Sequence, residues 1–273
     1  MNSNYRKRLA AGLFILTLLL LCVSCAAPKA QTDQSDDSLQ KVLEKKELVL
    51  GLDDHFPPMG FIDDSGEITG FDVKTAEEVC KRLGVTLVKK PINWDEKENE
   101  LSEGRIDCIW NGLSVNPARA EMWNLSEPYM INEIVFVVAR NSGIKSAGEL
   151  YGKRVGIQKG SSAEDVFAAS ELSGGCELTV LDNNVELLEQ MELGKLDSVL
   201  LDSVFVYYYI AENDKDYYLL PGALATEEFA VGFRKTDSAL RDRVQEILKE
   251  MKTDGSLAKL STKWFGMDIT TVK

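Results

Sequence analysis

The chain of 273 residues has a single histidine, His55, and only five cysteines. Nucleophilic catalysis and transition-metal binding draw heavily on these two residue types, so their scarcity narrows both. Cys22 and Cys25 lie just behind an N-terminal apolar run, which leaves Cys80, Cys108 and Cys176 in the body. Three is an odd number, which excludes a complete disulfide framework, and no Cys-x-x-Cys pair occurs in the body to hold a structural zinc. Cys80 and Cys108 read as small buried hydrophobes, with one bridge among the three left open. A GxxxxGK[ST] phosphate loop is absent, so the chain is not an ATPase of that type. Positive charge is short as well: 31 Lys and Arg face 44 Asp and Glu, a formal net charge of −13. That balance argues against nucleic acid and against electrostatic adhesion to an anionic membrane. The apolar run at residues 9–21 falls well short of the roughly 20 residues that span a bilayer.

Ahead of that run stand Arg6, Lys7 and Arg8, and behind it Cys22-Val23-Ser24-Cys25. A basic head, an apolar middle and a small residue at the cut make an export signal over residues 1–24. A small residue directly before a cysteine resembles the bacterial lipobox, which implies lipid on Cys25. The leucine usual three places earlier is here Cys22, so a plain secretory signal cut nearby is the other reading. Residues 25–37 carry no large apolar side chain and read as a flexible tether. The three basic residues are the only charges ahead of Cys25, so the exported part is more acidic than the whole. Contact with a membrane would then come through the lipid.

From Ser38 onward strand and helix alternate, which predicts a parallel sheet. Residues 47–52 (ELVLGL) read as a buried strand, 63–66 as a hairpin turn, 72–83 as a helix stopped by Gly84, and 85–90 as a second strand. A helix over 95–102, opened by an Asp95 cap, and a strand over 106–110 complete a first unit. After a continuously apolar run at 132–139 (NEIVFVVA) the pattern restarts, with strands at 153–158, 177–181 and 197–201 and helices at 161–172, 184–193 and 202–212. A second extended run at 228–233 precedes amphipathic helices at 238–253 and 256–265. Two α/β units joined by two extended runs predict hinged lobes around a cleft.

Six stretches in order, GLDDHFPPMGF, GEITGFDVKTAEEV, LSEGRIDCIWNGLSVNPARAEMWNLSEPY, GKRVGIQKGSS, LGKLDSVLLD and DGSLAKLSTKWFG, resemble the extracellular solute-binding proteins (family 3 type) of polar amino-acid ABC transporters, in lipoprotein form. The resemblance runs from residue 47 to 266. It implies an α/β, two-lobed, periplasmic-binding-protein-like type II (Venus-flytrap) fold with two hinge crossings. Lobe 1 would take residues 38–137 and 229–273, and lobe 2 residues 138–228. Further implications are hinge closure on a polar amino acid, delivery to an ABC permease, a monomer, no cofactor, no metal and no catalysis. The expected location is the outer face of the bacterial cytoplasmic membrane, held by lipid on Cys25.

Elementary chemistry supports the site residues beside the resemblance. Every free amino acid presents a carboxylate and an ammonium on one carbon. The carboxylate calls for a planar fork of donors, which arginine supplies bidentately, and the ammonium calls for acceptors. Asn111, Gly112, Ser114 and Arg119 follow a strand at the carboxyl edge of the sheet, where α/β folds bind ligands. The resemblance gives Gly112, Ser114 and Arg119 the main-chain part of the ligand. From the second lobe, Ser161 and Ser162 behind Gly160 would receive the carboxylate and Asp202 the ammonium. Asp202 has a plain alternative as the cap of its own helix, and Arg119 one as a solvated helix residue. Phe56 and Trp94 match positions that enclose the ligand side chain between ring faces. Asp53 and Glu98 are candidates to hydrogen-bond a polar or cationic side chain, and Asp53 equally to fix its own tight loop. Trp110 and Asn111 depart from the small or hydroxyl residues many relatives carry, which leaves the choice of amino acid open. Asp53, Asp54 and His55 are adjacent, but one histidine is thin for a metal site and no nucleophile with its base stands out. The competing classes are an enzyme on the same scaffold, dehydratase-like, and a ligand-sensing receptor.

Overall fold

In the computed structural model the residues described are 36–273. The export signal, Cys25 and most of the tether lie outside them. Helix α1 (Ser38–Lys45) leads into β1 (Glu47–Leu52), the short β2 (His55–Phe56), β3 (Gly60–Ile62) and β4 (Ile68–Thr69), then α2 (Phe71–Leu83) and β5 (Thr86–Pro91). Next come α3 (Lys97–Ser102), β6 (Cys108–Ser114), α4 (Pro117–Met122), β7 (Asn124–Leu125) and the long β8 (Met130–Ala139). The chain continues through β9 (Arg154–Gln158), α5 (Ser162–Ala168), β10 (Glu177–Leu181), α6 (Asn184–Glu192), β11 (Ser198–Asp202), α7 (Ser203–Asn213) and β12 (Tyr217–Leu219). A second long strand, β13 (Ala225–Phe233), precedes α8 (Ser238–Thr253) and α9 (Ser256–Phe265).

Both lobes follow one plan. In the first, β1 lies between β5 and β6, all parallel; in the second, β9 lies between β10 and β11 in the same way. Beside β6 runs β13 and beside β11 runs β8, each antiparallel to its neighbour. These two long strands are the crossings between the lobes, and they pair with each other, Met130 to Ile134 against Phe229 to Ala225. The alternating sequence pattern thus yields the two-lobed α/β architecture it predicts, with both apolar runs extended by a few residues.

Every residue of β6 is buried, which suits a strand covered on both faces by helices. Helix α2 buries Phe71, Val73, Ala76, Val79 and Cys80, and α8 buries Leu240, Val244, Ile247, Leu248 and Met251, a stripe at helical spacing. Gly84, at φ +74°, stops α2 and donates its N–H to the carbonyls of Cys80 and Lys81. Trp94, Leu101, Ile106, Ile109, Leu113 and Trp123 form a separate cluster.

Some boundaries differ from expectation, for local reasons. The helix expected at 95–102 opens as a 3-10 turn, Trp94–Glu96, and its cap is Asn93, whose side chain accepts from the Asp95 N–H at 3.0 Å. The helix expected to reach residue 172 ends at Ala168. There Ser170 and Ser173 donate their hydroxyls to the carbonyls of Phe167 and Ser170, offering the backbone an alternative to further helix. Cys80, Cys108 and Cys176 are all free, so no bridge forms. Burial pushes the Cys80 thiol up to about 12, which keeps it protonated at neutral pH. Among the described residues no helix is long and apolar enough to cross a membrane.

Candidate functional site

Ten residues singled out in the sequence, Asp53, Phe56, Trp94, Asn111, Gly112, Ser114, Arg119, Ser161, Ser162 and Asp202, line one cavity between the lobes. The free space inside it is about 20 Å³, room for little more than a water and far below the roughly 300 Å³ of the smallest small-molecule sites. Glu98 is exposed on α3 and does not line it.

Arg119 is carried by α4, whose first turn is set by Pro117 and capped by Asn116, the side chain accepting the Arg119 N–H at 2.8 Å. The solvated alternative fails, because the residue is only 7% exposed. Its guanidinium donates to the Ser114 carbonyl at 2.9 Å and, across the cleft, to the Gly160 carbonyl at 3.3 Å. Burial pulls its pKa down, while the charges of Asp165, Glu227 and Asp202 hold it up. None of these carboxylates comes within ion-pair distance, so two carbonyls are its partners.

Asp202 ends β11 and faces the same cavity. The capping alternative does not hold either: its side chain makes no cap bond to α7 and instead accepts from Asn132 Nδ2 at 2.6 Å. The residue keeps some surface, but its carboxyl is enclosed, and burial together with the Glu227 charge raises its pKa to about 7. Ser161 has the capping role in this lobe, its Oγ accepting from the Glu164 N–H at 3.3 Å and donating to the Gln158 carbonyl at 2.8 Å. Ser162 Oγ lies 2.7 Å from Glu227 Oε2 and 3.0 Å from Ser114 Oγ.

Gly112 sits at φ +58°, and a Cβ there would come within 2.8 Å of Phe56 Cε1. Its N–H donates to the buried Asp72 carboxylate at 2.7 Å, which also accepts from the Tyr129 hydroxyl at 2.7 Å. Burial raises the Asp72 pKa to about 7. Asp53 lines the cavity and also fixes its own loop, accepting the His55 N–H at 2.9 Å. Its second oxygen accepts from Gln158 Nε2, and its own N–H goes to Asn111 Oδ1. With Asp54 and His55 it forms a close group, His55 Nδ1 lying 2.7 Å from Asp54 Oδ1.

One face of Phe56 is taken by Phe205 of the second lobe, the rings 5.6 Å apart and 6° from parallel. Beneath Trp94 lies Lys97, a residue that nothing in the sequence singles out. Its ammonium, 5.2 Å from the indole, donates to the Trp94 carbonyl at 3.0 Å and across the cleft to Gly160 at 2.7 Å. Burial and the nearby Arg119 lower its pKa to about 8. Gln158, Asn132, Asp72 and Glu227 were likewise unmarked. Asp72 stood inside the quoted stretch GEITGFDV, and Gln158 directly before Lys159-Gly160-Ser161, so adjacency was the one signal available.

A model of the bacterial extracellular solute-binding proteins, family 3, matches residues 48–267. The L-cystine-binding protein TcyJ of Escherichia coli (strain K12) is 31% identical over 254 residues, covering 92% of this chain and 95% of that protein. An ABC uptake transporter substrate binding protein from Streptococcus pneumoniae, solved with bound histidine, superposes with a TM-score of 0.84 at 36% identity, covering 87% of this chain and 99% of the other. The ancestral amino acid-binding protein AncCDT-1, a precursor of cyclohexadienyl dehydratase, gives a TM-score of 0.77 at 29% identity over 84% of this chain and 99% of its own.

Proposed function

The chain belongs to the bacterial extracellular solute-binding proteins of family 3, and from that premise we propose that it captures a polar amino acid between its lobes and delivers it to an ABC permease. The observation that carries the reading is a buried guanidinium without a carboxylate partner in the same cavity as a buried carboxyl without a cation, Arg119 and Asp202. A zwitterion completes both at once: its carboxylate takes the Arg119 fork, and its ammonium meets Asp202. Gly112, Ser114, Ser161 and Ser162 close around this head group, while Asp53, Phe56, Trp94 and Asn111 face the ligand side chain. The ligand drives closure only through its greater affinity for the closed form.

The lobes are residues 38–137 with 229–273, and 138–228, swinging on β8 and β13 as a monomer. Lipid on Cys25 holds the exported protein to the outer face of the membrane. The relatives' ligands, cystine and histidine, make those two amino acids the first to try. Isothermal titration of protein unfolded and refolded to strip carried ligand, against the common amino acids and cystine, tests the reading. One-to-one binding of one or a few supports it, and silence across the panel overturns it. A dehydratase-type enzyme on this scaffold is the second reading, favoured by the Asp202 carboxyl held near neutrality inside the cavity. Water loss from a hydroxy-acid substrate in the presence of the protein would bring it forward.

A further inference from the structure

Glu227 lies on the crossing strand β13, where no ligand contact was expected, and it is 9% exposed. In the ladder between the crossings it stands directly opposite Asn132. Asn132 holds Asp202, and Glu227 holds Ser162, so one rung of the hinge supports both second-lobe residues of the head-group subsite. A serine hydroxyl has one proton to give, and an ionised carboxylate can only accept. The single Ser162 proton therefore goes to Glu227 Oε2 at 2.7 Å, the charge-assisted choice, and Ser114 supplies the proton of the 3.0 Å contact between the two hydroxyls. What Ser162 Oγ has left for the cavity is a lone pair.

We propose that Glu227 is a positioning residue for the ligand ammonium: by taking the Ser162 proton it fixes that hydroxyl as an acceptor beside Asp202. The proposal rests on the amino-acid reading of the site and adds a residue that sets its polarity. Ser162 and Asp202 then offer acceptors to the same cavity into which Arg119 brings its donors. The reach of the Glu227 charge is visible at both neighbours, since it raises the Asp202 pKa and supports the charge on Arg119. A carboxylate placed at Ser162 Oγ and Asp202 meets acceptors and like charge, so on this proposal the Ser162 hydroxyl does not receive the carboxylate as the sequence led one to expect. The orientation of the zwitterion is thereby fixed from the hinge.

The test is a double-mutant cycle with Glu227→Gln and Ser162→Ala, read by titration with L-histidine, L-arginine and L-cystine. Each ligand is compared with its counterpart lacking the ammonium: 3-(imidazol-4-yl)propionate, 5-guanidinopentanoate and 3,3′-dithiodipropionate. The amide introduced by Glu227→Gln can donate to Ser162 Oγ, which frees the hydroxyl proton to point into the cavity. We expect Glu227→Gln to weaken the amino acid at least tenfold and the deaminated acid by no more than about twofold. Ser162→Ala should weaken the amino acid similarly, and the double variant should be no worse than Ser162→Ala alone. Glu227→Asp, with its carboxylate drawn back by one methylene, should behave like Glu227→Gln and serves if the amide folds poorly. Equal loss for both members of a ligand pair, or losses that add in the double variant, would overturn the proposal and leave Glu227 a structural residue. If the wild type binds another amino acid of the panel instead, the cycle is run on that ligand and its deaminated counterpart; if it binds none of the panel, the amino-acid reading itself falls, and this inference with it.

Discussion

Gln158 of the second lobe donates its Nε2–H to the Asp53 carboxylate of the first at 2.7 Å, a buried bond across the cleft. Gln158 is itself fixed, accepting from Asn184 Nδ2 at 2.9 Å and donating also to the Asp182 carbonyl at 3.0 Å. A hydrogen bond to a charged group contributes about 1.5–3 kcal/mol when buried. Gln158→Ala should therefore lower ligand affinity by about tenfold to a hundredfold, chiefly through faster release, because the bond exists only when the lobes meet. Stopped-flow dissociation rates check this; an unchanged release rate would mean the bond does not hold the cleft shut.

Arg119→Ala should abolish measurable amino-acid binding while leaving the melting temperature within a few degrees of wild type. Its partners are two carbonyls and no carboxylate, so its removal strands no buried charge. Arg119→Lys should also bind poorly, since a point charge cannot replace the fork. Titration and thermal unfolding decide both halves.

Affinity should depend on pH through Asp202, whose carboxyl titrates at about 7. An ammonium favours the ionised form, so below pH 7 binding must expel a proton, and affinity should climb by up to tenfold per unit before levelling above 7. Titration at pH 7 in buffers of different ionisation heat should report proton release. Asp202→Asn should bind more weakly and lose the slope.

Stability without ligand should move the opposite way. The Asp72 carboxyl is raised from 3.8 to about 7 by burial, so its contribution is complete below about 3.8 and is lost as pH rises through 7. Carboxylates with lowered values, such as Asp254 at about 2, are already ionised above pH 5 and add no slope there. Between pH 5 and 8 urea unfolding should show a decline of about 2–3 kcal/mol from Asp72, to which Asp202, raised by burial to the same value, adds. Asp72→Asn should flatten that part, its amide oxygen still accepting from Gly112 and Tyr129.

Gly112→Ala should destabilise the fold by about 1–3 kcal/mol and weaken binding together. The residue would have to hold φ +58° and place Cβ 2.8 Å from Cε1 of the Phe56 ring, which is already stacked on Phe205. Urea denaturation gives the first quantity and titration the second. A fold as stable as wild type would show that Phe56 can shift freely.

Strand and helix alternation was legible from sequence because burial writes itself as periodicity: α8 and α9 have the bounds their apolar stripes predict. Cavity residues such as Arg119 and Asp202 were legible because they follow strand ends inside a resembling motif. Glu227, Gln158 and Lys97 were not, since a buried polar side chain looks like a surface one until the opposite lobe is in place. Capping was misjudged at Asp95 for a related reason. Asn93 accepts the Asp95 N–H and takes the cap, and sequence order does not say which of the two side chains wins.

The rung that pairs Glu227 with Asn132 lies on the ribbon about which the lobes swing. Atoms on an axle travel little while those at the rim sweep an arc, so the supports of Ser162 and Asp202 stay assembled whether the jaws stand apart or together. The bond between Asp53 and Gln158 lies off that ribbon and, on the proposed closure, would be made and broken with each stroke. The second-lobe half of the head-group subsite would then be ready before the jaws move, while Arg119 and the ligand side chain would be engaged only as they close. Cargoes that differ only in their side chains would load the same axle and differ in how firmly the far end latches.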